Sequence, residues 1–100
     1  PHTHRDTSRF MLDIQGIVAL KEISNLPVIS DPSHASFWAP WVPNLAYASV
    51  ASGCAGLIIE THPRPSKSKV DPLQPLDFKT FDMTLRTIKK ISKIFNKKII

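Results

Sequence analysis

Two short apolar runs, each ended by polar residues and followed by a helical pattern, constrain the fold of this chain more than any other feature. The first run is Leu26-Pro27-Val28-Ile29, and the second is Gly56-Leu57-Ile58-Ile59. Continuous apolar runs of this length are typical of parallel strands that are buried on both faces. A strand, a loop and a helix form the repeating unit of parallel α/β proteins. The pattern therefore predicts strands over residues 27–31 and 56–60 of one parallel sheet.

The helical segments around these runs give the order helix, strand, helix, strand, helix. Apolar periodicity predicts helices over residues 11–23, 44–52 and 77–96, and residues 35–43 are expected to form a loop rich in proline and aromatic residues. We expect this loop to lead to Pro43 in the first turn of the second helix, and Gly53 to end that helix. A chain of 100 residues suits one small domain. Two strands cannot bury both faces of a parallel sheet, however, and a closed (β/α)8 barrel takes roughly 250 residues. We therefore interpret residues 1–100 as the C-terminal part of a single, larger barrel domain.

The last predicted helix combines an apolar stripe with a basic face. Residues spaced by three or four positions predict the stripe: Phe78, Phe81, Leu85, Ile88, Ile91 or Ser92, and Phe95. The net charge is +5, and much of it lies near the C-terminus: Arg86, Lys89, Lys90, Lys93, Lys97 and Lys98. A basic patch can bind nucleic acid, but no aromatic interleaving accompanies this one. We interpret it as a solvated helix face and predict no nucleic-acid partner.

The remaining composition is that of an ordinary soluble protein. Hydrophobic residues make up 42% of the chain. No apolar run approaches the roughly 20 residues needed to span a bilayer, so no membrane association is predicted. The single cysteine, Cys54, excludes an internal disulfide and fits a reducing compartment. We expect Cys54 to pack in the core.

Three polar segments after the predicted strands contain residues that suit a metal. His34 ends Asp31-Pro32-Ser33-His34, Glu60 begins Glu60-Thr61-His62-Pro63, and Asp71 begins Asp71-Pro72-Leu73-Gln74. One histidine and two carboxylates form a ligand set for a divalent metal. Simpler interpretations exist, because the histidine could bridge loops and Asp71 could be an ordinary solvated acid. Glu60 ends an apolar run, where a carboxylate needs a partner, either a metal or a basic side chain. We expect His62 to be a structural hydrogen-bonding residue.

These segments, in this order and spacing, resemble the C-terminal part of the type I 3-deoxy-D-arabino-heptulosonate 7-phosphate (DAHP) synthases. The related 3-deoxy-D-manno-octulosonate 8-phosphate synthases belong to the same superfamily. Residues 26–34 match the segment that ends the seventh barrel strand of the family. Residues 60–63 match its eighth strand, and residues 71–74 match the loop that follows. The resemblance covers nearly all of the chain from about Arg5 onward.

The resemblance implies a metal-dependent enzyme that condenses phosphoenolpyruvate with erythrose 4-phosphate, the first step toward the aromatic amino acids in the shikimate pathway. By residue, it implies a divalent metal (Mn, Fe, Zn or Co) on His34, Glu60 and Asp71. It also implies an orienting role for Asp31 and a phosphate contact for Arg5. The family further implies a cytoplasmic homo-oligomer.

Several positions depart from the family pattern. Ser36-Phe37-Trp38-Ala39 stands where relatives often carry Gly-Gly-Arg-Arg, Asp6 follows Arg5 in place of glycine, and Pro72 follows Asp71 in place of glycine. These changes keep the metal residues and reduce the phosphate contacts. A non-catalytic remnant, a basic interaction module and an octulosonate 8-phosphate synthase therefore remain as alternatives. We expect the 100 residues alone to be inactive and poorly stable.

Overall fold

Helices and parallel strands alternate in the computed structural model, which describes residues 12–36, 38–65 and 75–99. The order matches the prediction, with a short helix and a helical turn added after the first strand. The elements are α1 (Ile14–Ile23), β1 (Ile29–Ser30), α2 (Pro32–Ser36), a 3-10 turn (Ala39–Trp41), α3 (Val42–Ser52), β2 (Gly56–Leu57) and α4 (Phe78–Ile94). No helix among the described residues is both long and apolar enough to cross a membrane.

Strands β1 and β2 pair in parallel, as predicted. Ile29 lies opposite Gly56, and Ser30 lies opposite Leu57. Both paired segments are shorter than the predicted strands. Parallel pairing places the carboxyl ends of the two strands at the same edge of the sheet, so the polar residues that follow them can meet there.

The two faces of this sheet differ in what covers them. Helices α3 and α4 cover one face, and their buried cluster consists of Ala46, Val50 and Ile88. Leu57 and Ile59 pack against this cluster. Because side chains alternate between faces along a strand, Ile58 lies on the opposite face, where it is 51% exposed, and Ile29 is 52% exposed. The sheet thus has one face covered by helices and one open apolar face, as a section of an α/β barrel wall has.

Helix α2 and the 3-10 turn occupy most of the segment over residues 35–43 that was predicted to be a loop, so that prediction is wrong. Asp31 starts α2 because its Oδ1 accepts the backbone N–H of His34 at 3.0 Å, as a residue before a helix commonly does. Pro32 takes the first helical position, where a missing N–H is tolerated. Pro43 lies in the first turn of α3, as predicted.

Helix α3 ends at Gly53, as predicted. The φ angle of Gly53 is 97°, in the left-handed region that glycine adopts without strain. The ammonium group of Lys97 donates to the carbonyl oxygen of Gly53 at 3.2 Å. A cation at this end of a helix is favoured by the helix dipole. This contact attaches the segment after α4 to the end of α3.

Helix α4 has bounds close to those predicted, but its buried stripe differs. Asp77 caps the helix by accepting the Thr80 N–H at 2.7 Å, and hydrogen bonds from Thr80 lower the pKa of Asp77. Phe78 is 56% exposed and Phe95 is 49% exposed, so the predicted stripe is wrong at both ends. The buried residues are Thr84, Ile88 and Ser92. Thr84 can be buried because its hydroxyl donates to the Thr80 carbonyl at 2.7 Å.

Candidate metal centre

His34 lies in α2, shortly after β1, and Asp31 holds its ring. Asp31 Oδ2 is 2.5 Å from Nδ1 of the imidazole. The other oxygen of the same carboxylate accepts the backbone N–H of His34. One carboxylate therefore contacts both the main chain and the side chain of His34. The ring is held at its Nδ1 edge, which leaves Nε2 to face the neighbouring strand.

Glu60 follows β2 and faces this histidine. Its Oε1 lies 2.8 Å from His34 Nε2. The contact forms because β1 and β2 are parallel and in register, so that the segments after them leave the sheet side by side. The side chains of His34 and Glu60 are 53% and 27% exposed, respectively, so a small solute can reach them. Glu60 thus has the partner that its position at the end of an apolar run requires.

The His34–Glu60 pair has a specific chemical requirement. In a neutral imidazole, one ring nitrogen donates a hydrogen bond and the other accepts one. Both nitrogens of His34 face carboxylate oxygens. Each contact therefore needs a proton or another cation between the nitrogen and the oxygen. The negative charges of Asp31 and Glu60 favour such a cation, so the arrangement can hold a proton or a metal ion.

Ligand distances test whether a metal suits the His34–Glu60 pair. Imidazole nitrogen and carboxylate oxygen bind zinc at about 2.0–2.2 Å, so two such ligands on one tetrahedral ion lie roughly 3.4 Å apart. The observed separation of 2.8 Å is a hydrogen-bond distance, so the two side chains would move apart by roughly half an ångström to hold the ion. Histidine ligands also commonly donate their second N–H to a carboxylate. Asp31 lies where that carboxylate would be, beside Nδ1 of His34. The donor set fits a divalent first-row metal.

Two other predicted site residues, Asp71 and Arg5, lie outside the described residues. Within residues 12–36, 38–65 and 75–99, no group of three or more His, Cys, Asp or Glu side chains could hold a metal ion. A third ligand would therefore have to come from elsewhere, and Asp71 stays a prediction.

Cys54 and His62 are separate from the His34–Glu60 pair. Cys54 precedes β2, whereas Glu60 follows that strand. The thiol of Cys54 is buried. Burial raises the pKa of the thiol, and the nearby cations Lys97 and Lys21 oppose that effect. The prediction that Cys54 packs in the core is confirmed. His62 accepts the Arg64 N–H at 2.9 Å through Nδ1, the kind of structural contact that was expected.

Solved structures share this fold. A truncated form of 3-deoxy-D-arabino-heptulosonate 7-phosphate synthase from Thermotoga maritima superimposes with a TM-score of 0.92 at 33% identity, over 99% of this chain and 38% of that chain. A crystal structure of the phospho-2-dehydro-3-deoxyheptonate aldolase (DAHP synthase) from Thermotoga maritima gives a TM-score of 0.88 at 34% identity, over 90% of this chain and 26% of that chain. The chain is therefore an α/β section of a barrel enzyme, which confirms the predicted fold class.

Sequence comparison identifies the family. The DAHP synthetase I family matches residues 2–97, and the chain belongs to this family. It is 34% identical to the phospho-2-dehydro-3-deoxyheptonate aldolase of Thermotoga maritima, over 97% of this chain and 29% of that protein. It is 33% identical to the 2-dehydro-3-deoxyphosphooctonate aldolase of Protochlamydia amoebophila, over 85% of this chain and 34% of that protein. The chain thus spans about a third of the length of these relatives.

Proposed function

We propose that this chain supplies part of the active site of a 3-deoxy-D-arabino-heptulosonate 7-phosphate synthase. Such an enzyme condenses phosphoenolpyruvate with erythrose 4-phosphate and water, and releases phosphate. The observation that carries the proposal is the 2.8 Å contact between His34 Nε2 and Glu60 Oε1 at the ends of two parallel strands. It occurs in a chain that matches the family over residues 2–97. Active sites of parallel barrels lie at this end of the strands.

In this proposal His34, Glu60 and Asp71 hold a divalent metal, which is Mn, Fe, Zn or Co. The metal would supply Lewis-acid chemistry, by polarising the aldehyde of the sugar phosphate and orienting the reacting water. Support comes from the donor set and from Asp31, which lies where a carboxylate commonly fixes a histidine ligand. His34 presents Nε2 because Asp31 occupies the Nδ1 edge. Glu60 adds the negative charge that a divalent ion requires.

The remaining parts of the proposal concern substrate and setting. Arg5 would contact the phosphate of phosphoenolpyruvate, because the planar fork of a guanidinium matches phosphate oxygens. The partners are phosphoenolpyruvate and an aldose phosphate, and neither nucleic acid nor membrane is involved. The enzyme would be a cytoplasmic homo-oligomer of the shikimate pathway. A buried free thiol at Cys54 agrees with a reducing compartment.

Metal titration tests the site directly. We expect calorimetry with Mn²⁺ or Zn²⁺ to show near-micromolar binding that His34→Ala and Glu60→Ala each abolish, because each substitution removes a ligand. His62→Ala is the matched control, since His62 is close in sequence to Glu60 but bonds to the Arg64 backbone. Binding that survives both ligand substitutions would contradict the metal site proposed here.

The second candidate is an octulosonate 8-phosphate synthase, favoured by the Protochlamydia amoebophila relative and by one from Enterobacter sp. that is 35% identical over 84% of this chain. Both products contain the three carbons of pyruvate, so a seven-carbon product requires a four-carbon aldose phosphate and an eight-carbon product requires a five-carbon one.

Phosphate release with each aldose phosphate, measured on the full-length enzyme, distinguishes the two candidate functions. Turnover of the five-carbon substrate alone would replace our proposal with this one. Turnover of neither, with the metal site intact, would favour the non-catalytic remnant.

A further inference from the structure

The backbone of Glu60 is held by an unusual contact. Its N–H donates to the hydroxyl Oγ of Ser33 at 3.0 Å, across 27 positions of sequence. Ser33 is fully buried, with 0% of its surface exposed. It lies in α2 directly before His34. The same short helix therefore carries one member of the His34–Glu60 pair and contacts the backbone of the other.

The hydrogen-bond ladder between the strands explains why the Glu60 N–H needs a side-chain acceptor. The last ladder bond on this edge runs from the Ile58 N–H to the Ser30 carbonyl at 2.8 Å. Parallel ladders repeat every two residues, so the next donor is the Glu60 N–H and the next acceptor would be the carbonyl of residue 32. The chain has already turned into α2 at Pro32. The Ser33 hydroxyl provides the acceptor that the strand no longer offers.

The other side of the Glu60 backbone is also held. Its carbonyl accepts the Leu76 N–H at 2.9 Å, and the His62 N–H donates to the Leu76 carbonyl at 2.9 Å. Thr61 and Leu76 form a parallel bridge between these two bonds. Leu76 is buried, so this attachment is firm. Among the contacts of the described residues, the backbone of Glu60 would without the Ser33 bond be held only by its bond to Leu76.

We infer that Ser33 is a positioning residue, which keeps the Glu60 carboxylate opposite His34 Nε2 by binding the Glu60 backbone. This inference rests on the proposed function, because the His34–Glu60 pair matters there as a metal site. Ser33 contacts neither side chain of the pair through the bonds described above. It acts through the main chain, at a point where the two strand-end segments are joined beyond the ladder bond of Ile58.

The test compares Ser33→Ala with Ser36→Ala in the full chain. Ser36 lies in the same helix and is similarly buried, but its hydroxyl bonds only to the nearby backbone of Trp38 in the contacts described. We expect Ser33→Ala to weaken Mn²⁺ binding by about 10- to 100-fold, as loss of a group that orients a ligand commonly does. Ser36→Ala should leave the affinity within about twofold, well below that range.

Two readouts without metal keep the inference separate from the proposed function. Ser33→Ala should speed hydrogen exchange at the Glu60 amide and shift the Nε2 resonance of the His34 ring in ¹⁵N NMR. Fast hydrogen exchange at the Glu60 amide of the unaltered chain would overturn the inference, even if the Ser33→Ala variant does not fold. If the unaltered chain binds Mn²⁺ and Ser33→Ala binds it equally, the inference fails while the metal site stands. If the unaltered chain binds no Mn²⁺, the proposed metal site fails, and unchanged NMR signals in Ser33→Ala would overturn the inference as well.

Discussion

At the scale of single residues, the candidate site depends on two contacts made by one carboxylate, that of Asp31. Asp31 caps α2 through one oxygen and holds the His34 ring through the other. The histidine is therefore oriented by a residue three positions earlier, within a single turn of chain. Glu60 has no such local support among the residues that the structure describes, and its contacts there are with residues distant in sequence.

Asp31→Asn separates the two uses of this carboxylate. The amide oxygen of asparagine can still accept the His34 backbone N–H, so the start of α2 should persist. Its amide group would meet Nδ1 in place of a carboxylate oxygen, which weakens the orientation of the ring. We expect Mn²⁺ affinity measured by calorimetry to fall by about 10- to 100-fold.

The control is Asp82→Asn, which makes the same change of charge on the exposed side of α4, where Asp82 pairs with Arg86 at 3.0 Å. This variant should bind Mn²⁺ as the unaltered chain does. An equal loss in both variants would mean that overall charge, and not the Asp31 contact, controls the affinity.

At the scale of elements, a buried pair of hydroxyls connects β1 to α3. The Ser49 hydroxyl donates to the Leu45 carbonyl at 2.8 Å, so the Ser30 hydroxyl is the donor in the 2.7 Å contact between Ser30 and Ser49. Both side chains are buried, with 2% and 0% exposed. Small side chains at this contact let the helix lie close to the sheet, and the hydrogen bonds satisfy the polar atoms that this approach buries.

The roles of donor and acceptor predict unequal effects of substitution. Ser49→Ala leaves the Ser30 hydroxyl buried without an acceptor, and we expect the free energy of unfolding to fall by about 1–3 kcal/mol. Ser30→Ala should lower it less, because Ser49 keeps its bond to Leu45. The double variant should lose less than the sum of the single variants. Urea denaturation of the four proteins measures the cycle, and strictly additive losses would contradict the coupling.

At the scale of the whole molecule, the chain is a partly covered section of a larger fold. Ile29 and Ile58 lie exposed on the face of the sheet away from α3 and α4. On α1 and just after it, Ile23 is 80% exposed and Leu26 is 76% exposed. The Thermotoga maritima relative is matched over only 29% of its length. Exposed apolar surface and open strand edges favour association between chains.

We therefore expect the isolated 100 residues to be poorly stable and inactive as a synthase. A phosphate-release assay with phosphoenolpyruvate, erythrose 4-phosphate and Mn²⁺ should give no turnover. Binding of a hydrophobic dye should be strong, because the open sheet face remains accessible. Turnover by the isolated chain, or cooperative unfolding without dye binding, would show that these residues form a more complete unit than we propose.

The sequence by itself determined the features that depend on neighbouring residues. The apolar run at residues 56–59 predicted a parallel strand, and the glycine at position 53 predicted the end of α3. The segment Asp31-Pro32-Ser33-His34 identified a candidate ligand, and it also carried an unrecognised signal for α2, a capping carboxylate followed by proline. These outcomes follow from periodicity and capping, which act over a few residues.

Only the tertiary structure decided which of these residues meet. The burial of Thr84 in place of Phe78 depends on how closely α4 approaches its neighbours. The contact between His34 and Glu60, and the bond from Glu60 to Ser33, depend on the register of two strands and on where the chain leaves the first of them. A shift of one residue would turn the side chains of a strand to the opposite face. The physical reason is that such contacts join residues far apart in sequence, so no local pattern encodes them.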